Sequence, residues 1–357
     1  MGYLRSKLEY VSVPSNFKPG PKHGHYSDMD AEYAKVGPPL AKMMLEGWTK
    51  DMPMEQFKAM FLNEDPPVPE DCPQPGKDIS LERLKVPMRD GAERELKIYK
   101  NFKAQKNAAL VYKMHGGGWT VGSHEIDEAE NRYIAGLTNV VVVSIDYRMA
   151  PEFPFPYALH DSVDGLLWCK AHASKLGINP ERIIVGGCSA GGNLSAALSI
   201  VARNDGITGI VAQHLSIPVT CHPALFDKVP DAEKYELLSY IQNKDADLVN
   251  AAQMEFFWDC YTGKDTKLDV LHSPLLSRNL SGLPPAMVQV AGLDPLRDEG
   301  IAYAEALKAH GVPTTLHVYK GVPHGFYGFP TLDASKQYFS RLVEFVERHA
   351  KGLSSKL

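Results

Sequence analysis

The sequence predicts an α/β fold, with a mostly parallel central sheet, helices on both of its faces and a helical cap. Three observations carry this prediction. After residue 80, short runs rich in Val, Ile and Leu alternate with helix-length stretches, glycines follow three of those stretches, and one long interval interrupts the alternation. The runs 109–114, 140–145, 182–185, 209–216, 286–290 and 314–319 are short and rich in Val, Ile and Leu, which suits strands buried on both faces of a parallel sheet. Helices are expected over 127–138, 156–173, 190–204, 298–310 and 335–350, with Gly177, Gly206 and Gly311 as stop signals. The order βαβαβ then calls for crossover helices packed against both sides of an open sheet.

Two regions lie outside that alternation. Residues 31–62 place Tyr33, Val36, Leu40, Met43, Met44 and Trp48, then Met54, Phe57, Met60 and Phe61, at helical spacings, and Pro38, Pro39 and Pro53 should divide them into two or three short helices. A Met-rich, aromatic set of this kind fits either ordinary core or a malleable apolar wall beside a ligand pocket. Pro66, Pro67, Pro69, Pro73 and Pro75 follow as an extended, helix-poor connection. The long interval falls between Val219 and Ala286 and has helical character over 231–240 and 245–261. An insertion at the C-terminal edge of a parallel sheet lies where ligands bind, so it is a second candidate for the cap. The expected division is an N-terminal cap segment (1–65), a core (66–220 and 283–357) and a cap insertion (221–282).

Charge and cysteine usage exclude several functions. With 38 basic and 43 acidic side chains, a formal charge of −5 and no basic stripe, the chain lacks the electrostatic footprint of a nucleic-acid binder. Its five cysteines are odd in number and widely spread, with no CxxC pair and no Cys/His spacing suited to zinc, so buried thiols and no metal are expected. No apolar stretch follows Met1–Lys7 and none approaches the ~18 residues of a membrane span, which points to a soluble intracellular protein. The last three residues, Ser355-Lys356-Leu357, match the tripeptide read by the peroxisomal import receptor. Peroxisomal delivery through that receptor is therefore expected, and a cytoplasmic location without it.

The chemistry is concentrated at four stations. Gly187-Cys188-Ser189-Ala190-Gly191 stands directly after an expected strand and before an expected helix, the context of a G-x-S-x-G nucleophile elbow. Such a turn holds the serine hydroxyl clear of the sheet, and small neighbours let helix and strand approach closely. A glycine-rich turn with an N-capping serine would read the same way locally. His115-Gly116-Gly117-Gly118-Trp119 closes the strand 109–114, and bare glycines there can aim backbone N–H groups at a developing oxyanion. Gly117, Gly118 and Ala190 are the candidate donors. A phosphate-binding loop is the competing reading, but no Walker lysine or dinucleotide fingerprint accompanies the glycines.

An acid and a histidine should follow, each at the end of a later strand. Asp294 lies 105 residues after Ser189 and 30 before His324, at the ends of the strands 286–290 and 314–319. In these roles His324 takes the proton of Ser189, and Asp294 holds the imidazole in the required tautomer. His310, His317 and His349 compete less well because none stands at the end of the final strand beside a glycine, as His324 does. Asp298 and Glu299 fall in the first turn of the next helix, where they suit its dipole.

Together the stations resemble the hormone-sensitive lipase family of α/β-hydrolases, the family IV esterases. Asp146-Tyr147-Arg148-Met149-Ala150-Pro151-Glu152 is similar to that family's DYRLAPE segment, and Asp294-Pro295-Leu296-Arg297-Asp298 to its acid-bearing motif. The resemblance covers about residues 80–350 and implies the α/β-hydrolase fold, a cap built from N-terminal helices and an insertion after the sixth strand, and structural roles for Asp146, Arg148 and Glu152. One departure stands out: the family usually has Asp or Glu before the nucleophile, and this chain has Cys188. The implied activity is serine carboxyl-ester hydrolysis of an acyl ester or thioester through an acyl-enzyme, without cofactor. Trp119, Phe257, Trp258 and Phe326 are candidate pocket residues, with Phe256, Tyr261 and Tyr327 as further aromatics. With the C-terminal tripeptide, a lipid-derived or specialised-metabolite (toxin-pathway) substrate is expected. Two alternatives use the same scaffold: an acyltransferase or cyclase, in which another nucleophile intercepts the acyl-enzyme, and a non-catalytic ligand-binding relative, against which the presence of His324 counts.

Overall fold

The computed structural model describes residues 4–5, 7–46, 48, 51–63 and 66–351. Eight strands form one sheet: β1 (Ile79–Pro87), β2 (Glu93–Asn101), β3 (Ala108–Met114), β4 (Val140–Ile145), β5 (Ile178–Cys188), β6 (Ile210–Ser216), β7 (Ala286–Leu293) and β8 (Thr314–Pro323). Their spatial order is β1-β2-β4-β3-β5-β6-β7-β8, with β1–β2 and β2–β4 antiparallel and every other pair parallel. The six parallel strands are the six apolar runs of the sequence. β1 and β2 escaped that reading because they form a hairpin at the sheet edge, ISLERLKVP and ERELKIYKN, in which the exposed Glu82, Arg83, Lys85 and Glu93 interrupt the apolar residues.

Side-chain alternation along the strands builds two cores. Leu110, Tyr112, Val141, Val143, Ile183 and Val185 point to one face, and Ala109, Val111, Val140, Val142 and Ile184 to the other. The first face is covered by α4 (Tyr157–Ala171) and α6 (Ala190–Asp205), through Leu159, Leu166, Leu194 and Leu198. The second is covered by α3 (Glu128–Ala135) and α10 (Asp333–Ala350), through Ile134, Tyr338, Leu342 and Val346. α9 (Arg297–Ala309) packs with β7 and α6 in a third cluster, and α5 (Ala173–Leu176) is a single turn before β5. Gly177 and Gly206 adopt left-handed φ angles of 74° and 70° directly after α5 and α6.

The N-terminal region forms α1 (Tyr33–Glu46) and α2 (Met54–Ala59). Pro38 and Pro39 lie inside α1, contrary to the expected break: they remove two ladder donors, and the helix continues past them. The side chains of Leu40, Met43 and Met44 lie outside the described set. The insertion contains α7 (Ser239–Gln242) and α8 (Ala251–Thr262), both shorter than the sequence suggested. These two remote regions hold each other. Glu255 on α8 accepts from the backbone of Glu9 and Tyr10 at 2.8–3.0 Å, Arg5 pairs with Asp259, and Tyr33 donates to Asp247 at 2.9 Å. All five cysteines are buried as thiols. Among the described residues no helix is long and apolar enough to cross a membrane.

Candidate active site

Ser189 occupies the turn between β5 and α6 with φ 54° and ψ −117°, a conformation that costs a non-glycine residue energy and persists only where surroundings enforce it. Here they do: Ser189 N–H donates to Ser216 O at 2.8 Å, and its carbonyl accepts from Asn193 N–H at 3.0 Å. Ala190, next in the chain, opens α6, so its N–H belongs to the first helical turn, which has no intrahelical partner.

Asp294 follows β7 and His324 follows β8. His324 Nδ1 lies 2.7 Å from Asp294 Oδ2, while Asp294 Oδ1 accepts from the N–H of Leu296 at 2.9 Å. Asp294 is 1% exposed and His324 is 7% exposed, so the pair is shielded from competing water. Asp298 and Glu299, the other acids of this segment, face elsewhere. Asp298 binds Arg297, His23 and the backbone of Leu238 and Ser239, and Glu299 accepts from Thr220 N–H.

Ser189, His324, Gly117 and Gly118 line one cavity of about 510 Å³. The glycine segment is bent by a turn in which Thr120 and Val121 donate N–H bonds to Gly117 O at 3.0 and 2.9 Å. Gly118 sits at φ 57°, and a β-carbon there would run into the ring of Phe257. Behind the turn, Tyr147 OH donates to His115 O at 2.8 Å and its ring stacks on that of His115. Burial holds the His115 imidazole down at about 4, so this histidine is a neutral brace. Arg148 clasps Asp161 through Nε and Nη2 at 2.9 and 2.6 Å, while Glu152 reaches outward to Lys58 on α2.

The cavity wall corrects the pocket expected from sequence. Phe257 lines it, but Trp119, Trp258 and Phe326 do not, and each is 0% exposed. Trp119 stacks on Tyr261 at 4.2 Å and abuts Trp258, and Phe326 packs against Tyr319 and Tyr338. Their apolar area is spent joining layers of the fold. The wall comes instead from Trp48, Phe57 and Phe61 of the N-terminal region and Met254 of α8. Phe57, only 2% exposed, meets Trp48 at 4.4 Å and Phe256 at 5.3 Å, so the N-terminal aromatics serve as core and as pocket wall together.

Sequence reasoning missed Asp127. Its carboxylate lies just before α3, 61 residues from Cys188, and accepts from Cys188 Sγ at 2.9 Å. Asp127 Oδ2 also lies 3.7 Å from Lys113 Nζ, and Lys113 pairs with Glu130, which receives Tyr338 OH. A carboxylate absent from position 188 is thus supplied by another element. Burial raises Asp127 to about 6 against the pull of Lys113, and burial likewise pushes the Cys188 thiol well up, which makes it an inert, protonated donor.

Among the described residues one group, His23, Glu236 and Asp298, brings three donor atoms within 4.8 Å of one another. Glu236 accepts from the backbone of Lys22 and His23, and Asp298 carries Arg297, so these carboxylates clasp the N-terminal segment onto the core.

A family model described as the alpha/beta hydrolase fold matches residues 111–328. The chain belongs to the α/β-hydrolases, in their hormone-sensitive-lipase-like branch. It is 33% identical to an AB hydrolase superfamily protein of Schizosaccharomyces pombe over 88% of this chain and 94% of that one. It is 36% identical to an arylesterase of Saccharolobus solfataricus over 71% of this chain and 76% of the relative. Among solved structures, a Pyrobaculum calidifontis esterase superimposes with a TM-score of 0.73 at 30% identity, covering 89% of this chain and 99% of that one. This α/β-hydrolase is a carboxylic ester hydrolase.

Proposed function

We propose that the protein cleaves apolar acyl esters through an acyl-enzyme on Ser189. The observation that carries this reading is the meeting of Ser189, His324 and the glycine turn in one apolar cavity, with Asp294 at 2.7 Å behind the imidazole. His324 accepts the hydroxyl proton as Ser189 Oγ bonds to the acyl carbon, and Asp294 stabilises the imidazolium. The carbonyl oxygen, now anionic, takes N–H bonds from Gly117, Gly118 and Ala190, each worth about 2.7–4 kcal/mol of transition-state stabilisation. His324 returns the proton to the leaving group, and water, activated by the same imidazole, releases the acid.

The aromatic wall of Trp48, Phe57, Phe61 and Phe257 supports an apolar acyl group over a charged one. Ser355, Lys356 and Leu357 lie outside the described residues, and their identity alone supports delivery to the peroxisome by its import receptor. In that compartment a lipid-derived or specialised-metabolite ester or thioester is the substrate we infer.

The test compares wild type and Ser189→Ala on a chain-length series of p-nitrophenyl esters and matched acyl-coenzyme A thioesters, with fluorophosphonate labelling. Turnover and labelling should both vanish in the variant. Retained turnover, or labelling elsewhere, would overturn the assignment. For localisation, a fluorescent fusion with and without the last three residues should differ in peroxisomal capture.

A further inference from the structure

The loop that carries Asp294 is gripped from outside by two remote segments. Asp294 and Gly292 present their backbone carbonyls to one side chain: Asn243 Nδ2 donates to Asp294 O at 3.0 Å and to Gly292 O at 3.1 Å. Asn243 follows α7 in the insertion, is 5% exposed, and its N–H closes that turn on Ser239 O at 2.8 Å. Ser239, at the other end of α7, donates its hydroxyl to Pro295 O at 2.6 Å and accepts from Asp298 N–H at 3.1 Å. One helical turn thus spans the acid loop from Gly292 to Asp298.

The N-terminal segment completes the grip. Ser27 Oγ donates to Asn243 Oδ1 at 2.8 Å and accepts from Arg297 Nη1 at 2.7 Å. With its oxygen taken by Ser27, the Asn243 amide nitrogen faces the two carbonyls. Arg297 adds Nη1 to Gly292 O at 3.1 Å and Nη2 to Gln242 Oε1 at 2.8 Å. The same segment reaches the histidine loop, since Asp30 N–H donates to Gly321 O at 2.9 Å, just before His324. A β-carbon on Gly292 would run into Tyr26 O, and one on Gly321 into Asp28 O. The segment therefore lies directly against the ends of both β7 and β8.

What these contacts fix is a distance. Within its own loop Asp294 receives Leu296 N–H on Oδ1 and Arg297 N–H on its carbonyl, but both donors travel with the loop. They cannot place it relative to β8. Asn243 and Ser27 come from other elements and can. The 2.7 Å contact of Asp294 Oδ2 with His324 Nδ1 leaves little room for drift, because a hydrogen bond weakens steeply as its partners separate.

We infer that Asn243, oriented by Ser27, is a positioning residue for Asp294. The insertion then does two things: it contributes Leu248, Val249 and Met254 to the cavity wall, and it sets the place of the acid. The inference rests on the reading of Ser189, His324 and Asp294 as the triad and adds the group that holds the acid. Asn243 makes and breaks no bond; it acts through Asp294 on the imidazolium formed when His324 takes the Ser189 proton.

The test is a cycle of four enzymes: wild type, Asn243→Ala, Asp294→Asn and the double variant, assayed on p-nitrophenyl butanoate below all their thermal midpoints. Asn243→Ala should lower kcat about tenfold, well within the ~10⁴-fold that loss of the acid can cost, and leave KM within about twofold. In the Asp294→Asn background the same change should cost less than about twofold, because no carboxylate remains to be placed. A side chain that merely supports the fold would cost the same factor in both backgrounds. Proton spectra supply a second readout. The far-downfield resonance of the His324 Nδ1 proton, assigned by its loss in Asp294→Asn, should move upfield in Asn243→Ala. Ser27→Ala, which removes one half-buried hydroxyl, should move kcat and the resonance in the same direction by less.

An unchanged kcat in Asn243→Ala, or an equal factor in the two backgrounds, would overturn the inference. If Asn243→Ala does not fold, Ser27→Ala decides alone, and an unchanged kcat with an unmoved resonance overturns it. The underlying reading fails separately: it falls if Ser189→Ala or Asp294→Asn keeps wild-type turnover.

Discussion

Replacing Cys188 with the acid usual in its family should destabilise this protein in a pH-dependent way. The reason is the position of Asp127, whose Oδ1 accepts the Cys188 thiol at 2.9 Å in a fully buried site. Cys188→Asp sets two carboxylates about 4 Å apart, where their repulsion at an effective dielectric constant of ~20 is about 4 kcal/mol, or about 3 pKa units. Lys113 is the one buried cation beside them among the described residues, and Glu130 already pairs with it. The variant pair must therefore keep one proton near neutral pH. An acid whose folded pKa exceeds its unfolded value loses stability as pH rises from the unfolded to the folded value. In wild type that window runs from the ordinary 3.8 to about 6 for Asp127. In Cys188→Asp the second proton extends the window above pH 8, costing about 1.4 kcal/mol per pH unit across it. Urea unfolding should show the variant losing about 4 kcal/mol more than wild type between pH 5 and pH 8. Adding Asp127→Asn, which leaves one carboxylate, should restore the wild-type slope. Parallel curves for Cys188→Asp and wild type, or no rescue by the second change, would refute the reasoning.

Two further outcomes follow from the same geometry, beside that expected for Ser189→Ala. Gly118→Ala drives a methyl group into Phe257 and disfavours the left-handed backbone that aims the N–H, so kcat should fall about 10²-fold, measured below a thermal midpoint that the same clash and strain lower; an unchanged kcat would remove Gly118 from the oxyanion site. Arg148→Ala leaves Asp161, 0% exposed, without its buried partner, and urea unfolding should show a loss of about 3–5 kcal/mol; a loss below about 1 kcal/mol would mean that water replaces the guanidinium.

The departure at Cys188 also shows how a local rule can be broken and compensated. A thiol cannot supply the negative charge of the usual acid, yet the buried network of Lys113, Asp127, Glu130 and Tyr338 places a carboxylate beside the same turn, from the residue that precedes α3. Such a network is costly if any member is left unsatisfied, so its members are expected to tolerate single changes poorly and paired changes better.

What the sequence by itself determined was the short-range chemistry. The elbow at Ser189, the glycine turn at 116–118, the acid after β7 and the histidine after β8 each depend on residues a few positions apart, whose sizes and backbone freedoms dictate one local shape. The parallel strands were legible for the same kind of reason, since the inner ones, buried on both faces, and the edge strand β8 alike are short runs rich in Val, Ile and Leu. The edge hairpin β1–β2 was not, because its charged outer positions erase that run, and the helix through Pro38 and Pro39 overrode its own breakers. Tertiary structure alone decided which aromatics meet the cavity. Trp119, Trp258 and Phe326 are buried in the layers of the fold, while Trp48, Phe57 and Phe61 arrive from a segment more than a hundred residues before the nucleophile. It also decided that Asp127 meets Cys188. Side-chain direction and the pairing of distant elements set both results, and neither is written in the spacing of neighbouring residues.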